Sequence, residues 1–342
     1  MNCDPDGYVQ LRPLLFSIAY RMTGSVADAE DIVSEAFVRL QQARANGREV
    51  ESLKAFLSTV VTRLSIDHLK SARVRRERYF GTWLPEPVLT DEADDSELAD
   101  SLSLAFLVVL EQLGPVERAV FLLHDVFDLD YARIAEIVGK SEVNCRQIAT
   151  RARRYVSARQ PRFQPSPDER AALADRFFAA VETGDVSGLI DLLSADVVTY
   201  GDGGGAGPSL PRPVRGRERT LRLLRALTAS MRRHDLHFER CAVNRQPGVL
   251  VRDPSGALLN VMSIDVRGDQ VHAVRSILNP AKLGHLAPLV GPDHPLRRGP
   301  AATTPAGRSL SPASSATASS PAAPFPAESS SAAAPLPVIN SH

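Results

Sequence analysis

The chain has 342 residues, with 40 Lys+Arg balanced by 40 Asp+Glu, three Cys, one Trp and 25 Pro. That length accommodates about two or three domains, and 44% hydrophobic with 23% charged residues is the balance of an ordinary soluble globular protein. With no apolar run of about eighteen residues, no signal-peptide order in Met1–Leu15 and Cys3, Cys145 and Cys241 too dispersed for a disulfide framework or a zinc site, the expectation is a soluble, cytoplasmic, multidomain protein without a metal.

From Leu11 to Phe80 the apolar spacing is helical. Ser25 and Asp28 have the spacing of a capping box before a helix whose apolar positions are Ile32, Val33, Ala36, Phe37 and Leu40. Asn46-Gly47 breaks that pattern. A second long helix starts near Ser52, carries Leu53, Phe56, Leu57, Val60, Val61 and Leu64, and runs through Ile66 and Leu69 into a basic tract. Gly81–Asp100, with Pro85, Pro87 and an acidic cluster, reads as a linker. Leu102–Leu113 is helical, Pro115 fits a first helical turn, and a short helix Tyr131–Val138 ends at Gly139, which suits a tight turn. Ser141 is then the N-cap of a last helix, Glu142–Val156. Two helices around that glycine make a helix-turn-helix candidate.

Pro161–Pro167 is a second linker. Asp168–Leu193 predicts two helices broken at Thr183-Gly184-Asp185. Val197–Tyr200, Leu236–Val243, Gly248–Arg252, Ala257–Asp265 and Gln270–Leu278 predict strands, with a helix near Arg217–Met231 between the first two. Helices followed by a run of antiparallel strands argue for a separate α+β domain. From Gly291 onward Pro, Ala and Ser dominate, and that composition predicts disorder.

The zero net charge conceals blocks of opposite sign. Arg63, Lys70, Arg73, Arg75, Arg76 and Arg78 make one basic segment; Lys140, Arg146, Arg151, Arg153, Arg154, Arg159 and Arg162 make another. Between them lie Glu86, Asp91, Glu92, Asp94, Asp95, Glu97 and Asp100. Two basic elements joined by an acidic linker suit two contacts with one polyanion. Such runs are also the ordinary solvated faces of helices, and charge alone leaves both readings open.

The last helix of the candidate motif separates its faces. Cys145, Ile148, Ala149, Ala152 and Val156 form a packing stripe, with Asn144, Gln147, Arg151 and Arg154 opposite, flanked by Arg146, Thr150 and Arg153. Arg pairs bidentately with guanine, and Asn or Gln with adenine. A recognition helix usually leads with its N-terminus. Ser141, Asn144, Arg146 and Gln147 are therefore the candidates for base or nearby phosphate contact, and Arg151, Arg153 and Arg154 for holding phosphates. The first basic tract is followed by Tyr79, Phe80 and Trp83, a combination that suits single-stranded nucleic acid. For Trp83 the favoured reading is packing against the linker.

Ala19-Tyr20-Arg21-Met22, Ala27-Asp28-Ala29-Glu30-Asp31-Ile32-Val33 and Thr62-Arg63-Leu64-Ser65-Ile66-Asp67 together resemble sigma domain 2 of bacterial extracytoplasmic-function (ECF) sigma factors. Leu113–Val156 resembles their domain 4. Trp83-Leu84-Pro85-Glu86-Pro87, Asp202-Gly203-Gly204-Gly205 and Asn279-Pro280-Ala281-Lys282-Leu283 narrow the resemblance to the SigJ-like subgroup, which carries a fused SnoaL-like C-terminal domain; Ala281 stands where that family more often has Asp. The resemblance implies that the helix Asp28–Leu40, with Asp28, Glu30, Asp31 and Glu35, binds the β′ clamp helices of core RNA polymerase, with the β flap as a further polymerase contact. It implies that Asp67–Arg78 with the loop before it melts the −10 promoter element and that Ser141–Val156 reads the −35 element. The motif residues Trp83, Pro85, Glu86, Asp202, Gly203, Gly204, Gly205, Asn279, Pro280, Lys282 and Leu283 are the expected regulatory contacts.

The resulting expectation is two all-α sigma domains, an α+β SnoaL-like cone and a disordered tail. The bounds are 8–80 and 102–160 around the linker 81–101, then 166–289 and 290–342. The function is that of a monomeric alternative sigma factor whose C-terminal domain modulates activity in cis in place of an anti-sigma factor. A small ligand in that domain's pocket would shift the balance if it bound one state better. No cofactor and no membrane contact is expected. Chemistry of the isomerase or cyclase type in that domain would need an acid/base pair, for which Asp196, Asp202, His234, His237, Asp265 and His272 are the available groups; no catalytic residue is assigned. The rivals are such an enzyme tethered to DNA and a helix-turn-helix repressor acting without polymerase.

Overall fold

Three helices open the chain, α1 (Pro5–Thr23), α2 (Val26–Ala45) and α3 (Leu53–Glu77), in a computed structural model that describes residues 5–77, 79, 81–90, 100–159, 165–205 and 210–297. Ser25 caps α2 by accepting from the Asp28 amide at 3.1 Å. Asp28 does not complete the expected capping box. Its carboxylate lies 3.1 Å from His68 of α3, and the free amides at the start of α2 are taken by a residue far along the chain, Glu86.

After the strand β1 (Leu89–Thr90) and a 3-10 turn (Asp100–Leu102), α4 (Leu104–Leu110) and α5 (Pro115–Phe121) follow, α5 running on into a π turn at Leu122–Val126. Then α6 (Tyr131–Val138), capped by Asp130, and α7 (Glu142–Ser157), capped by Ser141, flank Gly139, whose φ of 67° is the left-handed turn the sequence predicts. Cys145, Ile148, Ala149, Ala152 and Val156 of α7 are all buried. Cys145 is thus a core residue whose thiol burial pushes upward in pKa.

The two helical groups pack against each other through one buried cluster. Leu15, Ile18, Tyr20, Leu57 and Val61 of α1 and α3 lie in the same buried cluster as Phe106, Leu110, Phe121, Ala152 and Val156. Apolar periodicity reveals which face is buried, not which partner buries it.

The C-terminal part begins with α8 (Pro167–Thr183) and α9 (Val186–Leu192) and continues through β2 (Leu193–Asp202), β3 (Val214–Arg215) and α10 (Arg217–Arg233). Strands β4 (His237–Val243), β5 (Gln246–Arg252), β6 (Leu258–Arg267) and β7 (Gln270–Ile277) precede the one-turn helix α11 (Pro280–Leu283). The sheet order is β1-β4-β5-β6-β7-β2-β3. All neighbours are antiparallel except β2 and β7, which run parallel with Asp202 beside Ile277. One face packs against α8, α9 and α10 through Phe177, Phe178, Leu224, Met231, Val249 and Ile264.

The other face meets the linker and α4. Leu84 and Leu104 are buried with Val243, Leu250, Val261, Ile277 and Leu283, and Leu89 and Thr90 pair with Val243 and Ala242 as an edge strand. The segment that reads as a linker therefore contributes both a strand and a core residue. Leu84→Ala removes a fully buried side chain and is expected to destabilise by about 2–5 kcal/mol, read as a lower thermal midpoint. A loss below about 0.5 kcal/mol, the scale of surface changes, contradicts that placement.

Candidate nucleic-acid interface

The outward side of α7 presents Arg146, Gln147, Thr150 and Arg151 around a shallow recess of about 390 Å³. All four are exposed, as is Arg154, while Asn144 is half-buried at the N-terminal end. Arg146 pairs with Glu142 one turn back and sits 5.5 Å from the Tyr131 ring centroid. Arg153 is different. Its guanidinium pairs with Asp125 of the π turn and donates to the Tyr131 hydroxyl at 3.2 Å, and the Asp125 hydrogen bond raises its pKa. In this arrangement Arg153 ties α7 to its own scaffold, whereas Arg151 and Arg154 face solvent.

On α3, Arg63 donates to the carbonyls of Ile137 at 2.9 Å and Glu136 at 2.8 Å. It thus satisfies the C-terminal carbonyls of α6. From the other side, Arg133 of α6 donates to the Ala55 carbonyl and the Thr59 hydroxyl at 3.0 and 3.1 Å. Helix α3, which carries the first basic element, and α6, the helix before the second, are thereby latched together. Lys70 is exposed and pairs with Asp67 at 2.8 Å. Helix α3 extends through Arg73, Arg75 and Arg76, whose side chains, like Arg78, Phe80 and the acidic run Asp91–Glu97, lie outside the described residues.

Among the candidate polymerase contacts on α2, Asp31 and Glu35 are exposed. Glu30 pairs with Arg12, and Glu35 with Arg39 at 2.9 Å. Val38, 45% exposed, lies one turn beyond Glu35.

The three short motifs converge, though more than 190 residues separate the first from the last. Asp202, 1% exposed at the end of β2, accepts from the Leu84 amide at 2.8 Å and from the Lys282 ammonium at 2.7 Å through one oxygen. Its other oxygen accepts from the Tyr79 hydroxyl and the Gly204 amide. Lys282 also donates to the Leu84 carbonyl and lies 4.1 Å from the Trp83 ring centroid. Asn279 donates to the Tyr79 hydroxyl at 2.8 Å. Burial, reinforced by the Asp202 carboxylate, pushes the Tyr79 phenol upward, so it remains a donor. The Trp83 ring lies against Gly24, where a Cβ would stand only 2.8 Å from it. The Asp202–Gly205 turn is thus anchored at its first residue, in contrast to the flexible turn its glycines suggest, with Gly203 buried and Gly205 exposed.

Glu86 extends this cluster to α2. Its carboxylate accepts from the Ser25 hydroxyl at 2.8 Å and from the Val26 amide at 2.7 Å, favourable placement for an anion at a helix N-terminus. Its carbonyl accepts from Tyr20 at 2.6 Å.

A residue without a sequence signal completes the junction. Asn244, wholly buried at the β4–β5 turn with φ of 51°, donates to the Tyr20 hydroxyl at 2.7 Å and the Leu102 carbonyl at 2.9 Å, and accepts from the Val88 amide at 2.9 Å. One side chain thereby pins the first helical group, the linker and the second helical group to the sheet.

The acid/base candidates of the C-terminal part are dispersed. Asp202 is committed to the cluster above, and Asp265 pairs with Arg275. Asp196 is exposed and 3.6 Å from His272, His234 lies near His294, and His237 is exposed on β4. Among the described residues, no group of three or more His, Cys, Asp or Glu could hold a metal ion, and no helix is long and apolar enough to cross a membrane.

Residues 8–75 match the Sigma-70 region 2 family and residues 103–156 match Sigma-70, region 4. Over 223 residues the chain is 43% identical to the ECF RNA polymerase sigma factor SigJ of Mycobacterium tuberculosis, covering 64% of this chain and 70% of that one. It is 37% identical over 191 residues to the probable ECF sigma factor SigI of the same species, covering 54% of this chain and 65% of the relative. The crystal structure of M. tuberculosis SigJ superposes with a TM-score of 0.66 at 34% identity, covering 84% of this chain and all of that one. The helix-turn-helix, the three-helix group and the α+β part that the motif cluster joins to them therefore have one explanation: the chain belongs to the ECF RNA polymerase sigma factors, in the SigJ-like group that carries a SnoaL-like C-terminal domain.

Proposed function

We propose that this chain binds core RNA polymerase and promoter DNA with its sigma domains (8–80 and 102–160), while the C-terminal domain (166–289) holds them closed in cis. In this reading the outer face of α2, with Asp28, Glu30, Asp31 and Glu35, meets the β′ clamp helices. The second sigma domain meets the β flap. Helix α3 engages the −10 element through Arg63, Lys70, Arg73, Arg75, Arg76 and Arg78, and α7 reads the −35 element. The protein acts in the cytoplasm as a monomer. The observation that carries the closed-state reading is the latch of Arg63 on the end of α6, because a helix cannot both hold the second sigma domain and present the same guanidinium to DNA.

Run-off transcription with purified bacterial core polymerase and a promoter pool tests this function. Promoter-specific transcripts from the full-length protein are the expected result; DNA binding without any transcript would favour a repressor. On a promoter so identified, Gln147→Ala is expected to relax selectivity at one −35 position by about 1–3 kcal/mol. Arg151→Ala is expected to weaken binding evenly across sequences and lower the salt slope by about one unit. Binding titrations at several salt concentrations separate the two, and unchanged binding by both variants removes this face of α7 from the interface.

A further inference from the structure

We infer that the recess between α4, the end of α7 and the outer face of the C-terminal sheet is a binding site for a small organic anion with an apolar or aromatic body. The recess has a volume of about 410 Å³, within the usual range for small-molecule sites of roughly 300–1,000 Å³. It lies mainly on the face of the sheet that meets α4, with Arg170 of α8 also lining it, whereas on the other face Phe177, Phe178 and Met231 fill the space between sheet and helices. It is therefore distinct from the interior of the SnoaL-like cone.

Its chemistry is divided. Phe106 and Val109 of α4 supply an apolar wall, Tyr200 of β2 an aromatic one, and Arg159, Arg170, Arg267 and Arg275 converge on the same space. Arg170 has a partner of its own, and two carboxylates answer the other three guanidinium groups. Asp265 pairs with Arg275, and the exposed Asp196 lies near Arg267. A surplus of positive charge remains.

Arg275 makes the site more specific. It is only 6% exposed and lies 5.4 Å from the Tyr200 ring centroid, and its Nε is buried without a hydrogen-bond partner. A buried guanidinium N–H without an acceptor is unfavourable, and a carboxylate or phosphate is the acceptor it binds best. The arginines fix the anionic end, and Tyr200, Phe106 and Val109 accommodate the rest.

The walls come from both sides of the molecule. Phe106 and Arg159 belong to the sigma part, Tyr200, Arg267 and Arg275 to the C-terminal part. An occupant that touches both binds the closed arrangement better than an open one and so favours it by linkage. This regulatory consequence, unlike the site itself, rests on the function proposed above.

Saturation-transfer NMR on the full-length protein, without polymerase or DNA, tests the site with phenyl phosphate, benzoate and neutral benzyl alcohol at matched ionic strength. Saturable binding of at least one anion is expected, about tenfold or more tighter than the alcohol. The anion that saturates at lower concentration identifies the head group as phosphate or carboxylate. Arg275→Gln would leave Asp265 buried without its partner, so the exposed Arg159→Gln/Arg267→Gln double variant is used, with folding checked by an unchanged thermal midpoint. A loss of about tenfold in anion affinity is expected for it. Anions that bind no better than benzyl alcohol, or a folded double variant that binds them like the parent, overturn the proposal. Asn244→Gly, which loosens the junction beside the recess without removing a side chain that lines it, is expected to weaken anion binding. Unchanged affinity in that variant overturns the bridging role.

Discussion

Replacing Asp202 by alanine lowers the stability of the closed protein by about 3–5 kcal/mol, the cost of leaving a buried charge without its partner. The side chains of Asp202 and Lys282 are 0% and 8% exposed. Without the carboxylate, Lys282 keeps the Leu84 carbonyl and the Trp83 ring but loses the buried Asp202 anion. The Leu84 amide and the Tyr79 hydroxyl also lose their acceptor. The thermal midpoint is expected to fall by roughly 6–15 °C. Hydrogen exchange should rise first at Leu84 and along the start of α11, because the damage is confined to the cluster. The double variant Asp202→Asn/Lys282→Met removes both charges, retains an acceptor for Leu84, and is expected to recover most of the loss. Recovery distinguishes a charge pair from a merely well-packed carboxylate. If Asp202→Ala shifts the midpoint no more than an exposed substitution, the cluster does not hold the motifs together.

Much of this arrangement was legible one element at a time. The buried stripe of α7, the turn at Gly139 and the succession from α8 to β7 follow from spacing alone, because each depends on residues within one or two turns or on local alternation. What stayed hidden depends on partners distant in sequence. Ser25 and Asp28 have the form of a capping box, yet the carboxylate at the start of α2 is that of Glu86. Asn244-Arg245 reads as an ordinary turn, and nothing local distinguishes its buried amide from a solvated one. Leu89-Thr90 is too short for alternation to reveal a strand. The parallel pairing of β2 with β7 depends on a crossover through the whole sheet. One signal was available: residues 104–110, Leu-Ala-Phe-Leu-Val-Val-Leu, are apolar on every side of α4. A helix apolar all round is buried between two partners, and α4 sends Phe106 and Leu107 into the helical core and Leu104 toward the sheet.

Loosening the junction at Asn244 is expected to increase transcription at limiting sigma concentration. The variant of choice is Asn244→Gly, since glycine accepts the positive φ of 51° and only the side-chain contacts disappear. Three hydrogen bonds are lost, to Tyr20, Leu102 and Val88. At about 0.5–1.5 kcal/mol each, the closed arrangement weakens by roughly 2–4 kcal/mol. A shift of about 2 kcal/mol moves a closed-to-open equilibrium by roughly thirtyfold. The gain in transcript is bounded by the fraction already open, so a rise of about tenfold is expected where the parent is mostly closed. Small-angle scattering should show a larger radius of gyration in the variant, and α3 should gain access to DNA because its Arg63 latch on α6 opens with the junction. His237→Ala, exposed on β4 and outside the junction, serves as the control. A larger radius with unchanged transcript would separate closure from inhibition. A larger radius with reduced transcript would assign this contact an activating role, because the C-terminal domain would then be positioning the sigma domains rather than concealing them.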